Sequence, residues 1–230
     1  MPLRGLIFDF DGLLVDTETA TLEAWRAVHR EDGLEADPAV LHQVVGHVGI
    51  EADLWVAYPP ERERGPLEER FYAATRAACR RAPILPGVVE LLDEAAQAGL
   101  RLAVASNSSH GHVDGHLEAR GLRGRFAAVV CREDVPRAKP APDVYLAALS
   151  RLDLAADEVV AFEDSLPGHA AAAAAGLRVM VVPNPSTAGD HFVHATWRSG
   201  SMREVTLARL EKLILAQGLA AGGVQGAVLQ

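Results

Sequence analysis

Polar side chains that could do chemistry lie at the ends of four apolar runs in this sequence. Such side chains meet in one crevice when the runs are neighbouring parallel strands, because ligands bind at the carboxyl edge of such a sheet. The sequence therefore predicts one site made from distant segments. Its candidates are Asp9 and Asp11 after the first run, Ser106 and Asn107 after the second, Lys139 after the third, and Glu163 and Asp164 at the end of the fourth.

The charge of this group calls for a cation. Two carboxylates about 4 Å apart repel by roughly 4 kcal/mol at an effective dielectric near 20. The four carboxylates and Lys139 carry a formal charge of minus three, which one divalent ion and one proton on an acid would neutralise. All-oxygen ligands favour Mg²⁺ over zinc or copper. The residue types thus predict a magnesium site beside a phosphate site.

The elements that must position these residues alternate between strands and helices. The apolar runs are continuous, which is typical of strands buried on both faces of a parallel sheet. Helical segments with Pro near the start and Gly at the end separate them. The pattern predicts an α/β fold with a doubly wound, Rossmann-like parallel sheet. The strand runs are 5–10, 100–106, 126–130, 158–164 and 178–183, and the helical segments are 87–99, 109–121, 142–152 and 167–176.

One long segment interrupts this alternation. Asp11 and Ser106 are 95 residues apart, about 65 more than one β–α unit of roughly 30 residues requires. The extra segment has helical patterns and no convincing strand. We therefore predict an α-helical cap at 16–82, inserted into a core made of 1–15 and 83–217. The Gly- and Ala-rich stretch 218–230 is expected to be a disordered tail.

Composition excludes several classes of function. The chain has 230 residues, and 22 basic against 31 acidic side chains give a net charge of −9. Because it has no cluster of basic residues, nucleic acid is not an expected partner. No apolar stretch is long enough to cross a membrane, and the amino terminus does not resemble a signal peptide. We expect a cytoplasmic monomer that binds a small molecule.

Lysine is scarce, which makes its position informative. Only Lys139 and Lys212 are lysines, and the other 20 basic residues are arginines. In such a chain, a lysine kept at the sheet edge suggests that arginine would not serve there.

Four segments together resemble the motifs of the haloacid dehalogenase-like superfamily of phosphatases. The resemblance covers about 3–185, and the inserted helical cap also matches it. Within the superfamily the chain is most similar to the branch of sugar-phosphate phosphatases, phosphoglycolate phosphatase and β-phosphoglucomutase. The segments are DFDGLLVDTE, ASNS, KPAPDVY and FEDSLPGHAAAAAAG, in that order.

The resemblance implies a phosphatase that forms an aspartyl phosphate on Asp9. Asp11 would protonate the leaving alcohol and later deprotonate water, which requires that it starts as a neutral acid. The remaining implied roles concern the metal and the phosphoryl group. Asp9, the main-chain carbonyl of Asp11 and Asp164 would hold Mg²⁺, with Glu163 either binding it directly or lying one contact away. Ser106, the amide of Asn107 and Lys139 would bind the phosphoryl group.

Two other functions stay open. Phosphosugar mutases of this branch carry a histidine where this chain has Thr21, and an arginine after the cap glycine where Gly46 is followed by His47 and Val48. Both differences favour hydrolysis. The second alternative is a phosphoacceptor or binding protein without catalytic turnover, but such a protein needs neither Asp11 as an acid nor a cap.

Structural roles compete with the functional ones at several positions. Glu163 and Asp164 could stabilise a helix N-terminus, and Ser106 and Ser109 could cap the helix that follows them. His112 and His116, with His110 nearby, are four residues apart on a predicted helix. No partner completes a zinc site there, so we interpret them as a solvated helix face.

Overall fold

The computed structural model describes residues 2–37, 39, 40 and 53–223. Its sheet has six parallel strands in the order β3-β2-β1-β4-β5-β6. The order reverses between β1 and β4, the switch point where open α/β sheets bind ligands. All five predicted strands are confirmed, and the short β6 is an addition. The strands are β1 Gly5–Phe8, β2 Arg101–Ala105, β3 Ala128–Val130, β4 Val159–Glu163, β5 Arg178–Val181 and β6 Trp197–Arg198.

Helices cover both faces of the sheet, so the predicted doubly wound α/β class is confirmed. One apolar core joins one face to α3, α4 and α7, and a second joins the other face to α5 and α6. Both faces of the central strands are buried, which explains their continuous apolar sequence. The helices are α1 Thr17–Glu31, α2 Arg64–Arg81, α3 Val88–Gln97, α4 His110–Ala119, α5 Asp143–Leu152, α6 Leu166–Ala174 and α7 Leu207–Gly223.

The helical block between β1 and α3 has an apolar core of its own. Helices α1 and α2 pack against each other around Trp25, Trp55, Leu67 and Phe71. Trp25 Nε1 donates to the carbonyl of Leu54, which ties α1 to the segment before α2. This arrangement is compatible with an inserted cap, whose limits at 16–82 stay a prediction. Gly46, His47 and Val48 lie outside the described residues.

The carboxyl-terminal segment differs from the expectation. Helix α7 continues to Gly223, so residues 218–223 are helical in the structure where a disordered tail was predicted. Leu210 anchors this helix in the core, and the helical turns propagate from there. Residues 224–230 lie outside the described part. No helix in the described ranges combines the length and apolar character that crossing a membrane requires.

Candidate active site

A cavity of about 290 Å³ opens at the switch point between β1 and β4. Six of the seven predicted site residues line it, although they come from segments up to 155 residues apart in the chain. The seventh, Glu163, is fully buried and contacts Lys139. The structure therefore brings the whole predicted group together. The six lining residues are Asp9, Asp11, Ser106, Asn107, Lys139 and Asp164.

Lys139 is the buried cation of the site. Its side chain is 3% exposed, and Nζ donates to Asp9 Oδ1 at 2.6 Å and to Glu163 Oε1 at 2.7 Å. These two carboxylates raise the pKa of Lys139, although burial alone would lower it. The Asn107 side chain holds the Lys139 backbone, accepting from its N–H at 2.8 Å and donating to its carbonyl at 3.3 Å. Asn107 therefore positions the lysine.

Glu163 has every carboxylate oxygen engaged. Tyr145 donates its hydroxyl to Oε1 beside Lys139, and Oε2 accepts from the Asp164 N–H and the Ser165 hydroxyl. Gly168 on α6 makes room for this carboxylate, because a Cβ there would lie about 2.0 Å from its oxygens. A carboxylate surrounded by donors has little capacity left for a metal ion. Its geometry suits an anchor for Lys139 better than a direct metal ligand.

Asp9 begins the loop after β1, and its N–H donates to the carbonyl of Phe162 on β4. Its side chain is 7% exposed. Burial raises the pKa of Asp9 to about 7, the charge of Lys139 opposes this, and Glu163 adds to it. A second positive charge would lower this pKa and favour the ionised form.

Asp164 is the residue of the site whose surroundings best suit a cation. Its Oδ1 is buried without a hydrogen-bond partner, while Oδ2 accepts from Asn184 Nδ2 at 2.7 Å. Burial raises its pKa well above the usual value. Ligand oxygens of Asp9, Glu163 and Asp164 lie within 4.8 Å of one another. A buried, unpartnered carboxylate oxygen among other carboxylates fits a hard divalent cation.

Glu18 and Asn184 belong to the site and were missed by sequence reasoning. Asn184 Nδ2 also donates to Glu18 Oε2 at 2.5 Å, which links α1 to the loop after β5. Burial raises the pKa of Glu18 to about 7, with Asn184 opposing. Gly12 has φ of 74°, and a Cβ on it would lie 2.4 Å from Asp164 Oδ2 and 2.6 Å from Asn184 Nδ2. The scarcity of asparagine in the chain was the available signal.

Asp11 is held by three side-chain donors. Thr17 Oγ1 at 2.8 Å and His112 Nε2 at 2.8 Å contact Oδ1, and Ser108 Oγ at 2.5 Å contacts Oδ2. Burial alone would raise the pKa of Asp11, but His112 and then the two hydroxyls lower it. These donors lower the pKa of Asp11, whereas the expected role of Asp11 starts from a neutral acid. The donors around it stabilise the carboxylate form.

The interpretation of His112 and His116 as a solvated helix face is wrong. His116 is 8% exposed, and its Nδ1 accepts from Arg120 Nη1 at 2.9 Å. His112 contacts Asp11 and packs its ring edge-on against Phe10 at 5.7 Å. Ser109 caps this helix by accepting from the His112 N–H, so the predicted capping role of Ser109 is confirmed. The helix turns its histidines toward the site because Val113 and Leu117 fill the core beside them.

Fold and site agree with one family of hydrolases. The family model described as haloacid dehalogenase-like hydrolase matches residues 6–182, from β1 through β5 and including the helical block. The chain belongs to this family, as its motifs indicated.

Among its relatives, CbbY of Cupriavidus necator is 38% identical over 83% of this chain and 82% of that protein. Hexitol phosphatase B of Escherichia coli K12 is 34% identical over 89% of this chain and 95% of that protein. CbbY of Rhodobacter sphaeroides, solved with phosphate, superposes with a TM-score of 0.72 at 28% identity and covers 91% of this chain and 99% of its own. A variant of it was solved with xylulose-(1,5)bisphosphate, at a TM-score of 0.70, 28% identity, and coverage of 90% of this chain and 98% of its own. The family and these relatives make the chain a phosphatase of the haloacid dehalogenase-like type.

Proposed function

We propose that this phosphatase hydrolyses a small phosphate monoester, a sugar phosphate or similar metabolite, through an aspartyl phosphate and with Mg²⁺. One observation carries the proposal. Asp9 and the unpartnered Oδ1 of Asp164 lie in the same small cavity beside the buried ammonium group of Lys139. A nucleophilic carboxylate, a place for a cation and a fixed positive charge are what phosphoryl transfer to a carboxylate requires.

The reaction begins at Asp9. One of its carboxylate oxygens forms a bond to phosphorus as the bond from phosphorus to the ester oxygen breaks. Asp11 reacts from its protonated form, which the three donors around its carboxylate disfavour, and gives that proton to the departing oxygen, so an alcohol leaves. Asp11, now a carboxylate, takes a proton from a water molecule whose oxygen bonds to phosphorus. The bond from Asp9 to phosphorus then breaks, which releases inorganic phosphate and restores the Asp9 carboxylate.

The other residues bind and orient the phosphoryl group. Lys139 neutralises part of its charge as a compact ammonium group, and Ser106 and the amide of Asn107 donate to its oxygens. Asp9, Asp164 and the main-chain carbonyl of Asp11 would hold Mg²⁺, with Glu163 beside them as the anchor of Lys139. When bound, Mg²⁺ offsets the negative charge on the phosphoryl oxygens and on the carboxylates.

The choice of a small metabolite rests on the relatives and on the size of the cavity. Hexitol phosphatase B is named for a sugar alcohol, and the CbbY variant was solved with the small ester xylulose-(1,5)bisphosphate. A cavity of about 290 Å³ is at the lower end of the volumes of ligand pockets, which suits a small ester, and Glu18 of the helical block lines it. A cytoplasmic monomer remains our prediction from composition.

A panel of phosphate monoesters tests this function. We expect phosphate release from at least one sugar phosphate in the presence of Mg²⁺ and loss of that release with EDTA. Asp9→Asn should abolish turnover, whereas Asp16→Asn should keep it, because Asp16 caps α1 and asparagine caps a helix equally well. Continued turnover in Asp9→Asn would contradict the covalent mechanism. Absence of activity across the panel would favour the binding-protein alternative.

The mutase alternative has its own outcome in the same panel. Thr21 occupies the position where mutases carry a histidine, and its hydroxyl donates to the carbonyl of Thr17 at 2.8 Å. A threonine whose hydroxyl proton is held in a hydrogen bond is a poor acid-base group. We therefore expect β-glucose 1-phosphate to lose phosphate rather than to isomerise. Faster formation of glucose 6-phosphate would overturn the choice of hydrolysis.

A further inference from the structure

A hydrogen bond from a histidine ring nitrogen joins helix α4 to the loop after β1. His112 Nε2 lies 2.8 Å from Asp11 Oδ1, although the two residues are 101 positions apart in the chain. The side chains are 31% and 28% exposed, so the contact is partly screened from solvent. Helix α4 begins two residues earlier at His110, and the Ser109 cap fixes that end. His112 is therefore presented to Asp11 from a rigid element.

The imidazole is itself held in orientation. Phe10 contacts it edge-on at 5.7 Å with an interplanar angle of 89°, and His116 lies 4.5 Å away on the next turn of α4. Phe10 is fully buried and immediately precedes Asp11 in sequence. The aromatic contact and the hydrogen bond therefore fix the ring relative to the same loop that carries Asp11. Both contacts involve the same short segment, so they restrict rotation of the Asp11 side chain.

The contact between Asp11 and His112 also lies between two cavities. Asp11 lines the small cavity at the sheet edge, whereas His112 lines a cavity of about 630 Å³ between α2 and α4. A residue that gives a proton to a leaving alcohol must stand where the phosphate cavity meets the space for that alcohol. The Asp11 carboxylate, which faces α4 through its contact with His112, meets this condition.

We propose that His112 is a positioning residue, which holds the Asp11 carboxylate at the boundary of the two cavities for acid-base chemistry. This role rests on the proposed phosphatase function. Thr17 and Ser108 also donate to Asp11, but each is a rotatable hydroxyl on a nearby loop or helix end. His112 contributes the only ring donor among these three. It acts through Asp11 and does not touch the phosphoryl group.

The role predicts a dependence on the leaving group. p-Nitrophenolate is a weak base that departs without a proton, whereas phenolate is a stronger base that benefits from an acid. Both esters have similar size and enter the same site. We expect His112→Ala to lower kcat/KM for phenyl phosphate about 10-fold more than for p-nitrophenyl phosphate, a part of the roughly 10²–10⁴-fold that acid catalysis supplies. His112→Gln should restore most of the loss, because its amide can donate to Asp11.

Asp11→Asn supplies the second half of the test. If His112 acts only through Asp11, adding His112→Ala to Asp11→Asn should change kcat/KM for phenyl phosphate less than about twofold. An equal loss on both esters in His112→Ala, no rescue by glutamine, or a 10-fold further loss in the double variant would each overturn the role. A wild-type enzyme inactive on both esters and on the sugar phosphates would refute the phosphatase function itself. If the wild type is active but His112→Ala leaves the ratio of kcat/KM for the two esters unchanged, only the His112 role is refuted.

Discussion

Lys139 Nζ donates to Asp9 Oδ1 at 2.6 Å across 130 residues of sequence. The pair is buried, with Lys139 3% and Asp9 7% exposed, and Glu163 holds the same ammonium group from the other side. A lysine between two carboxylates reduces their repulsion and leaves a positive charge next to the candidate nucleophile. This geometry explains why one of only two lysines in the chain lies at the sheet edge.

Replacing Lys139 by methionine removes the charge and keeps much of the side-chain volume. We expect kcat to fall by about 10²–10³, the range measured when one preorganised donor is lost. Lys212→Met is the matched control, since Lys212 is exposed on α7. The assay is phosphate release at saturating substrate. Equal activity of the Lys139 and Lys212 variants would contradict a role for Lys139 in the reaction.

The stability of the metal-free Lys139→Met variant should depend on pH. The pKa of Asp9 is already raised to about 7 by burial, and Lys139 is the group that opposes the rise. A carboxyl with a raised folded-state pKa contributes stability at low pH, and this is lost as pH rises through that pKa. The variant should therefore lose more Tm at pH 8 than at pH 5 in EDTA. A Tm loss that is the same at both pH values would argue against this coupling.

Glu18→Gln tests the second carboxyl with a raised pKa. Burial raises the pKa of Glu18 to about 7, so the folded wild type holds this proton at pH 5 and releases it by pH 8. Its contribution to stability is complete below the ordinary pKa and is lost as pH rises through 7. In EDTA we expect the variant to match the wild type at about pH 4, below the ordinary pKa, and to have the higher Tm at pH 8. Thermal unfolding followed by circular dichroism measures this, and a lower Tm of the variant at pH 8 would contradict it.

Gly168→Ala should damage the site by a purely steric route. The added methyl group would lie about 2.0 Å from the carboxylate of Glu163, which anchors Lys139. We expect a loss of about 1–3 kcal/mol in the free energy of unfolding, together with reduced activity. Gly218→Ala on α7 is the control, because a Cβ there meets nothing within 4 Å. That change should stabilise the helix by up to about 1 kcal/mol. Urea unfolding compares the two variants, and equal stability of both would refute the clash.

Asp164→Asn should weaken the binding of Mg²⁺. The substitution keeps the shape of the side chain but removes the charge next to the buried, unpartnered Oδ1. We expect the Mg²⁺ concentration for half-maximal activity to rise at least about tenfold, as for loss of a group that supports a metal site. Calorimetric titration with Mg²⁺ provides a readout independent of activity. Asp157→Asn, at an exposed position, should bind Mg²⁺ like the wild type. Unchanged affinity in Asp164→Asn would remove Asp164 from the metal site.

The local sequence determined the alternation of strands and helices and the seven residues that meet at the sheet edge. A continuous apolar run encodes a strand buried on both faces, and the residue after it lies at the carboxyl edge whatever the rest of the chain does. Asp9, Ser106 and Asp164 could therefore be placed without coordinates. The four motifs, in their order, identified the family for the same reason, because each is a short local pattern.

Only the tertiary structure decided which way the neighbouring side chains face. His112 and His116 lie on a helix whose weakly amphipathic sequence does not specify its buried side, so packing of Val113 and Leu117 sets the rotation. Glu18 and Asn184 meet only because α1 and the loop after β5 converge at the switch point. The lowered pKa of Asp11 depends on donors from α1 and from the segment 108–112. Such contacts depend on distances between remote parts of the chain, which no local pattern contains.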